Sequence, residues 1–331
     1  MDHRTILLQP HRIRKPWGGY SLHGQFLPIE GEEAIGEAWL FADLSATSLS
    51  GAGGEAFHSR FADVYSGSFN LRQAAKDWSG GLLGDGSQRE HPLLVKLLDA
   101  REHLSVQVHP SPLYAAFAGG SLVKHESWVI LRAEPGAVIF AGVREGITAE
   151  DVVMLCHAGG AEEALVVRPA VVGECITLPS GIVHALGAGI LAAEVQTASD
   201  TTYRLYDWTR DYARPERALH LEEARMAMDI ALKPTVSSEA APLARLDGYR
   251  VVVADTQAYR IVIGRAGTGE SVSVPPGTIL VRLEGSGLVD TIPVSTSHAV
   301  FARDGATVEG GDQGMRWMEA LPGELVPNPP W

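Results

Sequence analysis

Only two of the 331 residues are cysteine, Cys156 and Cys175. Two cannot build a disulfide framework, and their spacing is not the C-x-x-C of a redox or zinc motif. Both are expected to be reduced, buried small hydrophobes, as in a reducing compartment. No apolar run approaches the roughly 20 residues needed to cross a bilayer. The first residues, MDHRTILLQPHRIRKPWGGY, carry neither the apolar core nor the small-residue cleavage site of a secretory signal. Positive charge is scarce: 27 Lys and Arg face 40 Asp and Glu, a net charge of −13. A general nucleic-acid or anionic-membrane binder needs a basic surface, so the balance argues against both partners. A small anion needs only a local cluster of cations and stays open. The expectation is a cytoplasmic protein with no nucleic-acid and no membrane partner.

Hydrophobic residues make up 45% and charged residues 20%, an ordinary globular composition. The 36 glycines and 19 prolines are scattered, and they punctuate many short runs of alternating character. That pattern predicts an all-β sandwich or barrel. Strands are predicted over 93–98, 104–109, 127–131, 174–178, 190–196, 202–207, 260–265, 279–283 and 298–303. Two helices are predicted: one N-capped by Thr148 with acidic residues in its first turn, and one over 221–232, stopped by Pro234. Composition breaks at 233–242 (KPTVSSEAAP), which predicts a linker between units at 1–235 and 241–331. The final PNPPW reads as an extended tail.

The most informative stretch is Leu104-Ser105-Val106-Gln107-Val108-His109-Pro110. As a strand it puts Leu104, Val106 and Val108 on one face and Ser105, Gln107 and His109 on the other. Alone, this could be a solvent-facing edge strand. Further on, Gly173 to His184 matches the second cupin motif, G-x5-P-x-G-x2-H: a strand, a tight turn made possible by Pro179 and Gly181, then a strand opening on an inward histidine. Glu126 opens the apolar strand ESWVIL, where an unpaired carboxylate is costly to bury and a cation removes the cost. Gln107, His109, Glu126 and His184 then form a ligand set suited to one zinc ion or another divalent transition metal. His125 points the other way by alternation. The fold class predicted is all-β, two cupin (jelly-roll) β-barrel or sandwich domains with a few short helices. The first carries the metal and the chemistry; the second, whose only histidine is His298, is metal-free.

The segments LVKLLDAREHLSVQVHP, KHESWVIL, LPSGIVHALGAGILAAEVQTASDTTYRLYDW, KPWGG and GEAW resemble class I mannose-6-phosphate isomerase, nearest its short bacterial form, from about residue 12 to about 230. The resemblance implies interconversion of mannose 6-phosphate and fructose 6-phosphate with bound zinc, and its ligand pattern falls on the same four residues. It also carries over Lys124, two residues before the metal glutamate, Glu194 on the strand after the histidine, and Asp200 and Arg204 of an S-D-x-x-x-R segment. Arg210 matches a basic residue implicated with phosphate in longer members, and Ser105 a serine near the phosphate. Val123 and His125 replace the usual Gly and Thr around Lys124, and Ala188 replaces the motif's final Asn. No departure removes a group the reaction needs.

The expected roles follow from the reaction, in which a proton moves between C2 and C1 through an enediol. Arg204 and the metal stabilise its charge. Glu194 or Lys124 serves as the base. Lys124, Arg210 and Ser105 bind phosphate, and Asp200 orients a cation. The partner implied is a phosphorylated hexose, bound by a monomer or weak homodimer. Two rival readings remain at this level: a two-His-one-carboxylate Fe(II) cupin oxygenase, and a non-catalytic sugar-binding bicupin.

Overall fold

The computed structural model describes residues 5–24, 26–27, 33–47, 55–62, 70–78, 80–83, 89–118, 123–296 and 298–323; the expected PNPPW tail lies outside these. Strands dominate, in antiparallel sheets, with five short helices among the described residues. No helix is long and apolar enough to cross a membrane.

Two sheets pack face to face to make the site. The seven-stranded one runs, in spatial order, Thr235–Ser238, Glu174–Leu178, Glu126–Ala133, Ile190–Thr197, Leu93–Ala100, Glu37–Phe41 and His11–Ile13. The five-stranded one runs Leu165–Pro169, Val138–Val143, His184–Leu186, Val106–Val108 and Tyr203–Tyr206. Alternation sorts their side chains. Trp128, Ile130, Leu98, Ile190 and Ala192 meet Ile139, Ala141 and Leu186 in the core between the sheets. The opposite face of the seven-stranded sheet (Val95, Leu97, Val129, Cys175, Ala193, Val195) is buried against a third sheet, contributing Tyr259, Ile261, Ile279 and Met318. Burial on both faces explains why these central strands read as apolar runs rather than as clean alternation. The outer face of the five-stranded sheet, with Val106, Val108 and Phe140, is covered by helices through Val152, Cys156, Ala224 and Ala227.

Several sequence expectations change in detail. Leu104 joins the inter-sheet core rather than the Val106–Val108 face. The regular strand begins only at Val106, and Leu104 is held instead by its N–H donating to the Leu186 carbonyl, 2.9 Å away. The predicted 221–232 helix stops at Ala227. Beyond it the Asp229 N–H donates to the Gly181 carbonyl (2.8 Å), and the Asp229 carboxylate accepts from the Ala231 N–H (3.0 Å), so tertiary and Asx-turn bonds replace the helical ladder. Part of the expected linker is the strand Thr235–Ser238, paired with Glu174–Leu178. The N-terminal strand Thr5–Gln9 pairs with Ala299–Ala302, so the two ends of the chain share the third sheet. The helix at Thr148 is as predicted: a capping box with Asp151 starts Ala149–Ala158, and Gly159 ends it in the left-handed conformation (φ 83°).

Candidate active site

The strand pairings decide which side chains meet. Gln107 is the cross-strand neighbour of both His184 and Arg204, so the three form a row across the five-stranded sheet. On the facing sheet Glu126 pairs with Gln196, and Glu194 with both Trp128 and Lys96. The turn before His184 needs its glycine: Gly181 has φ +101°, and a Cβ there would stand 2.9 Å from the Ser111 Cβ.

His109, Glu126 and His184 converge with one ligand atom each, all within 4.8 Å of one another, and all three are buried. His184 Nε2 lies 3.0 Å from Glu126 Oε1, and His109 Nε2 lies 3.2 Å from Oε2. The far ring nitrogens fix the tautomers. His109 Nδ1 donates to the Thr201 carbonyl (2.8 Å) and His184 Nδ1 to the Ile182 carbonyl (3.0 Å). A carbonyl can only accept, so each Nδ1 carries a proton and each Nε2 is the nitrogen turned inward. Two ring nitrogens and a carboxylate buried together and turned to one point are a donor set that suits a divalent transition metal. Gln107 sits alongside, its amide 3.4 Å from His184 Nε2 and bonded to Ser105 Oγ at 3.2 Å. Exchanging the amide O and N, which differ only by a half-turn, presents oxygen as a fourth ligand.

Lys124 leans over this cluster, bonded to Glu126 and 2.9 Å from His109 Nε2. Burial opposes ionisation of Glu126, but the Lys124 ammonium beside it outweighs this and holds the carboxyl well below the usual carboxylate range. Burial, reinforced by Lys124, drops His109 to about 3, so its imidazole is neutral, the form that binds metal.

Gln107 and Lys124, beside the cluster, line a cavity of about 450 Å³, within the range of small-ligand clefts. Its walls bring together Ser105, Gln107, Lys124, Glu194, Asp200 and Arg204, all singled out from sequence. Glu194 is held by Trp128 Nε1 (3.0 Å) and by Lys96 Nζ (3.2 Å). Arg204 donates to the Ala218 carbonyl (2.8 Å), while its buried Nε finds no partner among the described residues. Burial, then the neighbouring Arg217, lowers its pKa to about 10, still cationic at neutral pH.

Arg210 stands apart from this group. Its guanidinium donates to the Ala158 carbonyl and lies against Gly159, where a Cβ would be 2.4 Å from Nη1. It caps the C-terminus of the Ala149–Ala158 helix, where unpaired carbonyls favour a cation. The phosphate role expected of Arg210 therefore has no support from its position. Arg217 does line the cavity, with Lys15, Glu37, Lys96 and His220, none of which sequence reasoning singled out. A signal existed for Lys96: it is the one cation in the apolar run LLVKLLDA. Trp208 is the other unusual residue, left-handed at φ 53° and buried. Its indole donates to the Leu104 carbonyl (2.7 Å) and so fixes the approach to Ser105.

No family model matches the chain. It is 36% identical over 221 residues to mannose-6-phosphate isomerase of Streptococcus mutans, a match covering 66% of each chain. To mannose-6-phosphate isomerase ManA of Bacillus subtilis it is 34% identical over 247 residues, 71% of each. The matched stretches thus span about two thirds of these relatives' lengths. Its fold is similar, over 96% of this chain and 98% of the other, to the crystal structure of mannose 6-phosphate isomerase from Bacillus subtilis, with a TM-score of 0.77 and 26% identity. With a cupin-type sandwich, an inward His-Glu-His cluster and these relatives, the chain belongs to the mannose-6-phosphate isomerase family.

Proposed function

We infer that this protein is an aldose–ketose isomerase interconverting mannose 6-phosphate and fructose 6-phosphate, with one zinc ion held by His109, Glu126, His184 and Gln107. The carrying observation is the convergence of two imidazole nitrogens and a carboxylate next to Gln107 and Lys124, which themselves line a cavity that also carries Lys96, Arg204 and Arg217. When bound, zinc supplies Lewis-acid polarisation at the sugar's carbonyl end. The chain's own residues do the rest. Glu194, oriented by Lys96 and Trp128, is the first candidate to carry the proton between C1 and C2, and Lys124 the second. Arg204 offers its unpartnered Nε to the oxygen on which enediol charge develops. Ser105 and Lys124 give the phosphate a hydroxyl and a charge, and Asp200 keeps a cation oriented. The oxygenase reading loses ground because Gln107 beside His184 fills a position that oxygen chemistry needs open. The non-catalytic reading leaves the inward charges of Lys96, Glu194 and Arg204 as pure cost.

The same reading carries a catalytic unit at 1–235, a metal-free β-sandwich at 241–331, a monomer or weak homodimer, and a cytoplasmic setting. The test is a coupled assay on mannose 6-phosphate with metal analysis. Chelation should abolish turnover, one divalent ion per chain should restore it, and His184→Ala should lose the metal. Full metal retention by His184→Ala, or a second tight ion per chain, would contradict the assignment.

A further inference from the structure

The cavity's cations are not equivalent. Lys15 is paired with Glu37 (3.1 Å), Lys96 with Glu194 (3.2 Å) and Lys124 with Glu126. On the opposite wall stand Arg204 and Arg217, with Arg214 close by; burial first, and then the charge of Arg217, lowers the pKa of Arg204 and Arg214. Asp207 pairs with Arg214 and Arg217 and Glu102 with Arg214, and Asp200 lines the same cavity. Arg214 is turned inward and spent on carbonyls, those of Asp207 (2.7 Å) and His103 (3.0 Å). Arg217 is gripped by Asp207, with Nε 2.7 Å from Oδ2 and Nη2 on Oδ1. Asp207 is buried and Arg217 about a quarter exposed, so the fork is fixed from behind while Nη1 has no partner among the described residues.

We propose that Arg217, carried on Asp207, anchors the phosphate of the substrate together with Ser105 and Lys124, and makes the enzyme select a phosphorylated over a free hexose. Three observations converge on it. Arg217 lines the cavity with its Nη1 left over from the fork on Asp207. Arg204, whose buried Nε is unsatisfied in the same cavity, is given to the enediol oxygen, which leaves Arg217 free of that task. The guanidinium of Arg217 has already lost its rotational freedom to Asp207, so little further ordering opposes anion binding. The helix-capping position of Arg210 leaves the anchoring task to this neighbour. Asp207 is then a positioning residue, acting through Arg217.

This inference rests on the isomerase reading, so the experiment separates the two. In steady-state kinetics on the zinc-loaded protein, Arg217→Gln should raise KM for mannose 6-phosphate about 10–100-fold, the loss of one charged hydrogen-bond partner. The kcat should stay within about threefold, because the phosphate is held alike in ground and transition states. Competitive inhibition by inorganic phosphate should weaken by a similar factor. Arg217→Lys, which keeps the charge but loses the fork, should fall between; it also carries the test if the glutamine variant does not fold. A folded Arg217→Gln with KM and phosphate inhibition within twofold of the parent overturns the proposal. If the parent does not turn over mannose 6-phosphate at all, the isomerase reading fails instead. Calorimetric titration of inorganic phosphate into parent and variant then decides the anion site alone, and equal affinities reject it.

Discussion

Replacing Lys96 by methionine tests how the cavity tolerates its buried charges. Lys96 Nζ stands 3.2 Å from Glu194 Oε1 and 3.8 Å from Glu37 Oε2, with both side chains largely out of solvent. Burial alone would raise the Glu37 pKa, but Lys15 and then Lys96 outweigh it and bring it from 4.5 to about 2. At about 1.4 kcal/mol per tenfold change in proton affinity, that drop represents about 3 kcal/mol of stability. Lys96 supplies only part of it, yet its loss also strips Glu194 of an ion partner. Breaking a buried pair by removing one member costs about 3–5 kcal/mol, so Lys96→Met should lose about 3 kcal/mol at pH 7. The pH dependence has a definite sign. A depressed carboxyl stabilises the fold above its unfolded pKa, and the contribution fades as pH falls from about 4.5 through about 2. The variant can shed its penalty by protonating the stranded carboxyl, so the gap between the two proteins should narrow over that same window. Urea titrations at pH 7, 5 and 3.5 measure it. A gap under about 1 kcal/mol at pH 7, or one that does not shrink with acid, would mean that Lys96 is not what holds these carboxylates.

Two further substitutions probe other contacts. Arg204→Ala should cost on the order of 10²–10³ in kcat, the range for one preorganised donor to a developing oxyanion; near-normal kcat with full zinc content would move that role to Lys124. Tyr259→Phe removes a buried hydroxyl 2.9 Å from Ser127 Oγ, which keeps Thr177 as a second partner at 2.9 Å. It should cost about 0.5–1.5 kcal/mol in denaturant titrations with metal content unchanged, and a loss of zinc would show that this hydroxyl supports the Glu126 strand more directly.

Much of this was legible in the residue order. The Pro179–Gly181 turn, the alternation that carries His109 and the isolated Glu126 point to the His109, Glu126 and His184 cluster, because strand periodicity and turn chemistry are local. The 174–178 strand and the Thr148 cap were readable for the same reason. What escaped was set by tertiary contact. Arg210 and Arg217 are both arginines in one irregular segment, and only the helix end at Ala158 and the carboxylate of Asp207 decide which reaches the cavity. The truncation of the Leu221 helix depends on Gly181, far off in sequence, accepting the Asp229 N–H. Pairing of the Thr5–Gln9 strand with Ala299–Ala302 leaves no trace in either segment's pattern, since a short amphipathic strand reads alike wherever it docks.

The sheet that carries Glu126 and Glu194 is clamped on both sides, and this gives it a protection against misthreading. Suppose either strand slid by one residue during folding. Ser127 and Val195 would then turn toward the sugar cavity, while Glu126 and Glu194 would be driven into the apolar mass around Ile261 and Met318. A sheet with one wet face can hide such a slip at modest cost; here each error is penalised twice, by a carboxylate in oil and by a valine where a ligand belongs. The third sheet thereby acts as a gauge for the cavity: a chain that has not seated its last hundred residues has no strong reason to put the Glu126 and Glu194 carboxylates on the correct side.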